Sequence, residues 1–394
     1  MTGNSGKGRT RVCVVTGSRA DFGLLAPVLR AVRTDENLEL SLMAVGSHFL
    51  DNHGYTFDEI ESAGFAVDER VSVKYDGSAQ GISRAIGETV QRSTVALTRL
   101  QPDIVLVLGD RYEILAVALS ATVLRIPLAH IAGGDVTFGA YDEGFRHAIT
   151  KLSHVHFTTN SDATARVLQV GEEPWRVHQV GSPGIDALLE ADLLSREDLE
   201  ERLSWKFHSH NLLVTLHPVT LQPETGIEQA QALVAALESL PGDIGVIVTA
   251  TNSDSEGVEI DAVLKDYCTR NAIQALHVAS LGNLGYLSVL AQVDAVVGNS
   301  SSGLYEAPSL GTPTVDIGIR QKGRPRATSV IPCDIDSASI IQGIRVALRR
   351  DRIHAISPYG DGHASEKIVS ILRNLPDRHT LLLKVFVDRE KAVE

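Results

Sequence analysis

Short runs of aliphatic and β-branched residues alternate with longer amphipathic stretches along the chain. Val12–Thr16 has the pattern of a buried strand, with a loop after it and a helix from about Leu24. Leu40–Val45, Ile104–Leu108, Pro127–Ile131, Val155–Thr159 and Val177–Val180 repeat that pattern. A second series follows at Leu212–Leu216, Ile244–Thr249, Ala275–Val278, Ala295–Val297 and Thr314–Ile317. Runs with no polar alternation are strands covered on both faces, and helical periodicity fills most of the spacing between them. This rhythm predicts parallel sheets wrapped by helices, an α/β class of doubly wound domains.

Charge density rises between the two series, through Glu190, Asp192, Arg196, Glu197, Asp198, Glu200, Glu201 and Arg202. Leu188–Trp205 therefore reads as a solvated helix and connector, with one domain expected over 9–187 and another over 188–362. The length of 394 residues suits two domains. No repeat is visible at the residue level.

Composition narrows the function classes. Net charge is −13, which argues against a general nucleic-acid or anionic-membrane surface but not against a small anionic ligand held by a few arginines. Cys13, Cys268 and Cys333 are scattered and odd in number, so neither a disulfide framework nor a zinc site is expected, and no cofactor is called for. The polar, Gly/Ser-rich start has no signal-peptide core, and no run reaches the roughly 20 apolar residues of a membrane helix, so a cytoplasmic, soluble protein is expected.

In open α/β sheets ligands bind beyond the carboxyl ends of strands, so the residues after each apolar run carry the chemistry. The first run ends in Thr16-Gly17-Ser18-Arg19-Ala20-Asp21-Phe22-Gly23, where Gly17 and Gly23 allow tight turns, a helix N-terminus favours phosphate and Arg19 adds a cation. Taken alone, the segment is equally a plain strand–helix turn with Asp21 as helix cap. Asp110 and Arg111 follow Ile104–Leu108; His130-Ile131-Ala132-Gly133-Gly134-Asp135 follows the next strand. Asp142, Glu143 and Arg146 come soon after at spacing that shares one helical face. His154 and His156, at strand spacing, read as structural.

The second series ends in comparable positions. His217 is followed by Pro218, and Asn252 and Asp254 follow the run ending at Thr249. The most specific segment is Gly298-Asn299-Ser300-Ser301-Ser302-Gly303-Leu304-Tyr305-Glu306, whose glycines and hydroxyls leave backbone open to phosphate and whose Glu306 suits ribose hydroxyls. Arg320-Gln321-Lys322-Gly323-Arg324-Pro325-Arg326 forms a basic loop that either meets phosphate or is simply solvated.

Together and in this order, these segments resemble the hydrolysing UDP-N-acetylglucosamine 2-epimerases, above all the bacterial enzymes of sialic (N-acetylmannosamine) and legionaminic acid pathways. The resemblance covers about Arg11 to Leu372. It implies a GT-B-like fold: two Rossmann-like doubly wound domains, the active site in the inter-domain cleft, and a C-terminal helical segment, 363–394, packing back on the first domain. It implies UDP contacts from His217, Asn252, Ser300, Ser301 and Glu306, with Arg19 on phosphate and Arg320 also binding. Asp110, Arg111, Asp142 and Arg146 would face the sugar. Relatives suggest a homodimer or tetramer. One departure stands out: many members carry Glu at the third position of the His-Ile-x-Gly-Gly element, and here it is Ala132. Asp135 is the next carboxylate in line for that acid/base role.

The reaction so implied inverts carbon 2 and breaks the sugar–UDP bond, by loss of the carbon-2 proton, departure of UDP, and hydration of the resulting glycal. Asp110, Asp142 and Asp135 are the candidate acids and bases. Three rivals stay open on sequence alone. A non-hydrolysing epimerase usually has His-x-Glu-Ala-Gly-Leu-Arg where this chain has His130–Asp135. A GT-B glycosyltransferase needs an acceptor. A binding protein that has lost catalysis is suggested by Ala132. UDP-N-acetylglucosamine and UDP-2,4-diacetamido-trideoxyglucose both fit as substrate.

Overall fold

The computed structural model describes residues 8–49, 57–74, 78–138, 141–219, 226–251, 257–352 and 355–388. They form two parallel sheets with one topology. The first contains β1 (Thr10–Thr16), β2 (Leu38–Val45), β3 (Glu69–Val71), β4 (Ile104–Leu108), β5 (Leu128–Ile131), β6 (Val155–Thr158) and β7 (Val177–Gln179), in the order β3-β2-β1-β4-β5-β6-β7. The second contains β8 (His210–Thr215), β9 (Ile244–Thr249), β10 (Ala275–Val278), β11 (Ala295–Gly298), β12 (Thr314–Ile317) and β13 (Val330–Cys333), in the order β10-β9-β8-β11-β12-β13. The central strands are apolar on both faces; every residue of β4 and of β9 is buried. Each sheet reverses its winding beside its first strand, between β1 and β4 and between β8 and β11. These are the switch points where Rossmann-like domains receive ligands.

β3 and β13 escape the hydrophobic pattern. β3 has three residues, Glu-Arg-Val, and β13 carries Pro332 at the sheet edge, where a missing donor is tolerated. The helix after β1 runs Arg19–Thr34 and so starts five residues before the expected Leu24. Ser18 rather than Asp21 is its cap, accepting from the Asp21 N–H, and Gly23 lies inside the helix rather than in a turn.

One compact unit takes in the chain to Asp135, Asp142–Ala187 and the segment from Tyr359. The other takes in Val136–Tyr141 and Leu188–Pro358. In the first unit Leu25, Val28, Leu29 and Val32 form the inward stripe of the helix Arg19–Thr34. They share an apolar cluster with Ile368, Val369 and Leu372 of the helix Ala364–Arg373. Each such side chain stabilises by about 1.5–3 kcal/mol when fully buried.

Buried charge holds the following segment. The Arg176 guanidinium, 1 % exposed, donates to the carbonyls of Leu381 (2.9 Å), Leu383 (3.0 Å) and His154 (3.2 Å). Fully buried Glu172 receives Lys384 (2.7 Å), Lys151 (2.8 Å) and His156 (2.9 Å). These contacts hold its carboxyl down to about 2 against the opposing effect of burial.

The charged stretch after Leu188 is not a free connector. Its helix is short, Arg196–Leu203, with a capping box between Ser195 and Asp198. Leu188, Leu199, Trp205 and Phe207 are buried in an apolar cluster of the second unit together with Leu213 and Ile247. Acidic spacing marked the solvent face of this stretch and concealed its inner one.

Candidate functional site

At the carboxyl edge of the first sheet, residues following β1, β4 and β5 converge because those strands are neighbours. Arg19 is the first residue of its helix and its Nε meets Glu59 at 3.0 Å, with both side chains about half exposed. Asp110 and Arg111 diverge after β4. Asp110 is ion-paired with Arg146, whose side chain is 3 % exposed and which also pairs with Glu143. Arg146 Nη1 donates to the Asp135 carbonyl at 2.8 Å. Burial works against the Arg146 charge, but Asp110, Glu143 and Asp135 outweigh it and raise its pKa. Asp142 opens the helix Asp142–Leu152 one turn before Arg146 and is half-buried.

Asp135 is buried, and its Oδ1 accepts from Thr159 (2.6 Å) and Asn160 (3.2 Å). His130, fully buried, bonds the Gly109 carbonyl at 2.7 Å and Thr150 at 3.2 Å. Burial pushes it down to about 3, so it is a neutral spacer that fixes the strand ends. Ala132 has φ +66°, a left-handed conformation that favours glycine.

Arg111 turns the other way, to Glu113. Its Nε lies 2.5 Å from Oε1 of that fully buried carboxylate. Desolvation disfavours the Arg111 charge, yet Glu113 and Asp21 raise its pKa. The Asp21 carboxyl is pushed up to about 7 by burial; Arg111 opposes that shift and Glu113 adds to it. His48, fully buried after β2, reaches Thr16 Oγ1 at 3.0 Å and is held down to about 4 by burial and by Arg111.

The carboxyl edge of the second sheet is built around one amide. Asn299 is 1 % exposed and bonds His217 twice, accepting from its N–H (2.7 Å) and donating to its carbonyl (2.8 Å). The Asn299 carbonyl in turn receives Arg320 (3.1 Å) and Gln321 (2.7 Å). β8, β11 and the basic loop are thereby fixed together. Gly298 makes the turn possible: with φ +141°, a Cβ there would lie 1.9 Å from the Thr215 carbonyl oxygen. The His217 ring is held neutral, down to about 3, by burial and Arg320.

Ser300 and Ser301 precede the short helix Ser302–Tyr305, and Ser300 Oγ accepts from the Ser302 N–H at 3.4 Å. Ser301 makes no side-chain cap bond. Glu306 follows, its carboxyl desolvated and pushed up to about 7, with Ser302 opposing the shift. The Tyr286 phenol is raised by burial and lies in the field of Glu306. Arg324 donates to the Val136 carbonyl (2.6 Å) and to Thr137 (2.8 Å). Asn252 and Asp254 lie outside the described residues. Among those described, no group of His, Cys, Asp and Glu has the form of a metal site. No helix among them is long and apolar enough to cross a membrane.

Sequence reasoning singled out neither Asn299, Tyr286, His48 nor the Asp21–Glu113 pair as functional. Asn299 had a signal: it is the amide in a hydroxyl-rich loop directly after a strand. Asp21 and Glu113 lie in strand-end segments that the sequence does mark, but their pairing joins position 21 to position 113, and Tyr286 and His48 act through residues remote in sequence.

Comparison with known proteins identifies the family. The profile of a family described as UDP-N-acetylglucosamine 2-epimerase matches residues 30–373. The chain is 34 % identical over 329 residues to the GDP/UDP-N,N'-diacetylbacillosamine 2-epimerase (hydrolyzing) of Campylobacter jejuni, covering 83 % of this chain and 85 % of that protein. It is 32 % identical to the UDP-N,N'-diacetylbacillosamine 2-epimerase (hydrolyzing) of Legionella pneumophila, covering 95 % and 98 %. Among solved structures, the UDP-GlcNAc 2-epimerase from Neisseria meningitidis bound to UDP-GlcNAc superposes with TM-score 0.78 at 18 % identity, over 92 % of this chain and 99 % of that one.

Proposed function

We infer, for a chain that belongs to the UDP-N-acetylglucosamine 2-epimerase family, that it is a hydrolysing 2-epimerase acting on a UDP-2,4-diacetamido-2,4,6-trideoxyglucose. The observation that carries this reading is its identity of 32–34 % with two hydrolysing 2-epimerases for that class of sugar. The His130–Asp135 element supports hydrolysis over simple isomerisation, because it departs from the non-hydrolysing pattern.

We assign the proton chemistry to the carboxyl edge of the first sheet and nucleotide recognition to that of the second. The carbon-2 proton passes to a carboxylate while the carbon-1–oxygen bond breaks and UDP departs with its electron pair. The glycal then takes a proton on the opposite face of carbon 2 and hydroxide on carbon 1. Water is consumed, and UDP and the free 2-epimer are the products. Asp110 and Asp142 are the proposed acid and base, with Asp135 beside them. Arg146 is ion-paired with Asp110, and against the effect of burial its pKa is raised in turn by Asp110, Glu143 and Asp135. Arg111 would face the sugar, and Arg19 would meet the diphosphate. Ser300, Ser301, Glu306, His217 and Arg320 form the proposed nucleotide cradle. The product is of the kind consumed in sialic and legionaminic acid synthesis, and the proposed setting is cytoplasmic, as a homo-oligomer.

The test is incubation with the 2,4-diacetamido sugar nucleotide or UDP-N-acetylglucosamine in deuterated water, followed by NMR. The expected result is free UDP and a 2-epimer deuterated at carbon 2, with faster turnover of the diacetamido substrate. Faster turnover of UDP-N-acetylglucosamine would move the substrate to that sugar. An epimer still attached to UDP would overturn hydrolysis, and carbon-2 hydrogen without exchange would overturn elimination.

A further inference from the structure

The proposed reaction uses Arg111 but leaves unexplained what lies behind it. Glu113 is fully buried, and its Oε2 has no hydrogen-bond partner among the described residues. Asp21 Oδ2 is likewise buried and without a partner among them. Glu113 Oε1, the oxygen paired with Arg111, and Asp21 Oδ2 both crowd Gly17: a Cβ on that glycine would lie 3.1 Å from the first and 3.2 Å from the second. The turn after β2 closes the far side, since a Cβ on Gly46, which has φ +65°, would lie 2.8 Å from Glu113 Oε1. The backbone is bare at two glycines so that a glutamate can sit under the switch point between β1 and β4.

A buried carboxylate oxygen without a donor costs more than an ordinary lost hydrogen bond. Among the described residues, two carboxylates here face one cation, Arg111. The other groups around them are Asp110, the Ser18 hydroxyl and His48, and burial keeps His48 neutral. Arg111 is the cation of this set, and one proton on Asp21 brings Arg111, Asp21 and Glu113 to zero net charge.

We propose that Asp21 and Glu113 are positioning residues for the reaction: Glu113 holds the Arg111 guanidinium at the edge of the sheet, and a proton carried by Asp21 keeps that edge from repelling an anionic substrate. Loss of the proton leaves the cluster with net charge −1 beneath a site meant for a diphosphate. The consequence falls on substrate binding rather than on the chemical step. The burial that pushes Asp21 up to about 7 places this change near neutral pH. The proposal rests on the hydrolysing 2-epimerase reading only through its kinetic arm.

The experiment follows UDP release from pH 6 to 9 in the wild type and in Asp21→Asn. In the wild type KM should rise about threefold or more between pH 6.5 and 8.5, while Asp21→Asn, which cannot ionise, should be flat. Glu113→Gln should raise KM about tenfold throughout, with partial rescue by Glu113→Asp. A second readout needs no substrate. Difference infrared spectra of the ligand-free protein should lose a carboxylic-acid band as pH passes about 7, and that component should be missing in Asp21→Asn. Glu306, also raised to about 7, contributes a band of its own, so the signal is the difference between the two proteins. If Asp21→Asn does not fold, Glu113→Gln should shift the band to lower pH, because it removes a neighbouring negative charge. Parallel KM profiles in wild type and Asp21→Asn, or no Asp21-dependent band, would overturn the proposal. A wild type that releases no UDP from either sugar nucleotide would instead overturn the enzymatic reading, while the infrared arm still decides the proton.

Discussion

The two sheets share one winding order, yet their carboxyl edges carry opposite chemistry. At the first edge charge is buried and opposed: Asp110 and Glu143 on Arg146, Glu113 on Arg111, and Glu172 on two lysines elsewhere in the same unit. The second edge is organised by a neutral amide, Asn299, among hydroxyls and glycines, with Arg320 donating to the Asn299 backbone carbonyl. Opposed charge sets proton affinities, which proton transfer needs. Neutral donors and exposed backbone read a phosphate, and Glu306, raised to about 7 by burial, is the carboxyl beside them that titrates near neutrality. Topology therefore supplies the location of a site, and the residues after the strands supply its chemistry.

The comparison breaks most visibly if proton transfer is not confined to the first edge. Asp110→Asn and Asp142→Asn should lower turnover by about 10²-fold or more, with UDP affinity retained. Near-normal turnover in both variants, measured as UDP release, would remove the acid/base assignment. Substitution on the other edge should show the reverse split. Ser301→Ala and Glu306→Ala should weaken UDP binding by roughly tenfold or more, the worth of about 1.5–3 kcal/mol for a bond to a charged group. Calorimetry with UDP checks this, and unchanged affinity in both would refute the cradle.

Acid should separate the two units as well. His48, His130, His154, His156 and His178 of the first unit are lowered by burial from an ordinary value of 6.5. Their folded forms bind fewer protons than their unfolded forms. The stability they contribute is present above pH 6.5 and is lost as pH falls through that value toward the folded ones, about 3 for His130 and about 4 for His48 and His154. Glu172 adds a further loss between 4.5 and about 2. In the second unit His217 alone among the described residues is a histidine shifted this way. There Glu306, raised to about 7, contributes stability that is lost as pH rises instead. Hydrogen exchange at falling pH should therefore open β4–β6 before β8, β9 and β11; the opposite order would contradict the contrast. The smallest effect is local. Ala132→Gly should stabilise the first unit by about 1 kcal/mol by relieving its left-handed backbone. An unchanged or lower melting temperature would show that the Ala132 methyl has a packing role that outweighs the strain.

Much of this was legible in the sequence because parallel sheets leave a plain trace: β4 and β9 are uninterrupted apolar runs, and the chemistry sits where each run stops. The family was legible for the same reason, since its motifs are strand-end loops. Other features were not, for physical reasons. A glycine at position 23 signals a turn, yet the Ser18 cap and an apolar stripe outweigh it and the helix continues through it. The inner face of Leu188–Trp205 is carried by a few apolar residues among many charges. The partnership of Asn299 with His217 spans 82 positions, and that of Thr16 with His48 spans 32; no local pattern encodes either. Nor does burial of Glu113 show in a sequence where Arg-Tyr-Glu resembles an exposed helix start.

The grip of Arg176 and Glu172 on residues around 381–384 also orders events during synthesis. The first unit borrows core residues Ile368, Val369 and Leu372 from a segment that leaves the ribosome only after all of Leu188–Pro358. At roughly 5–20 residues per second, its inner helix face waits tens of seconds uncovered. The second unit, drawn almost wholly from one continuous stretch, is free to close in that interval. The half of the protein that is translated first is thus the half that finishes folding last, and its open apolar stripe is where a chaperone would be needed.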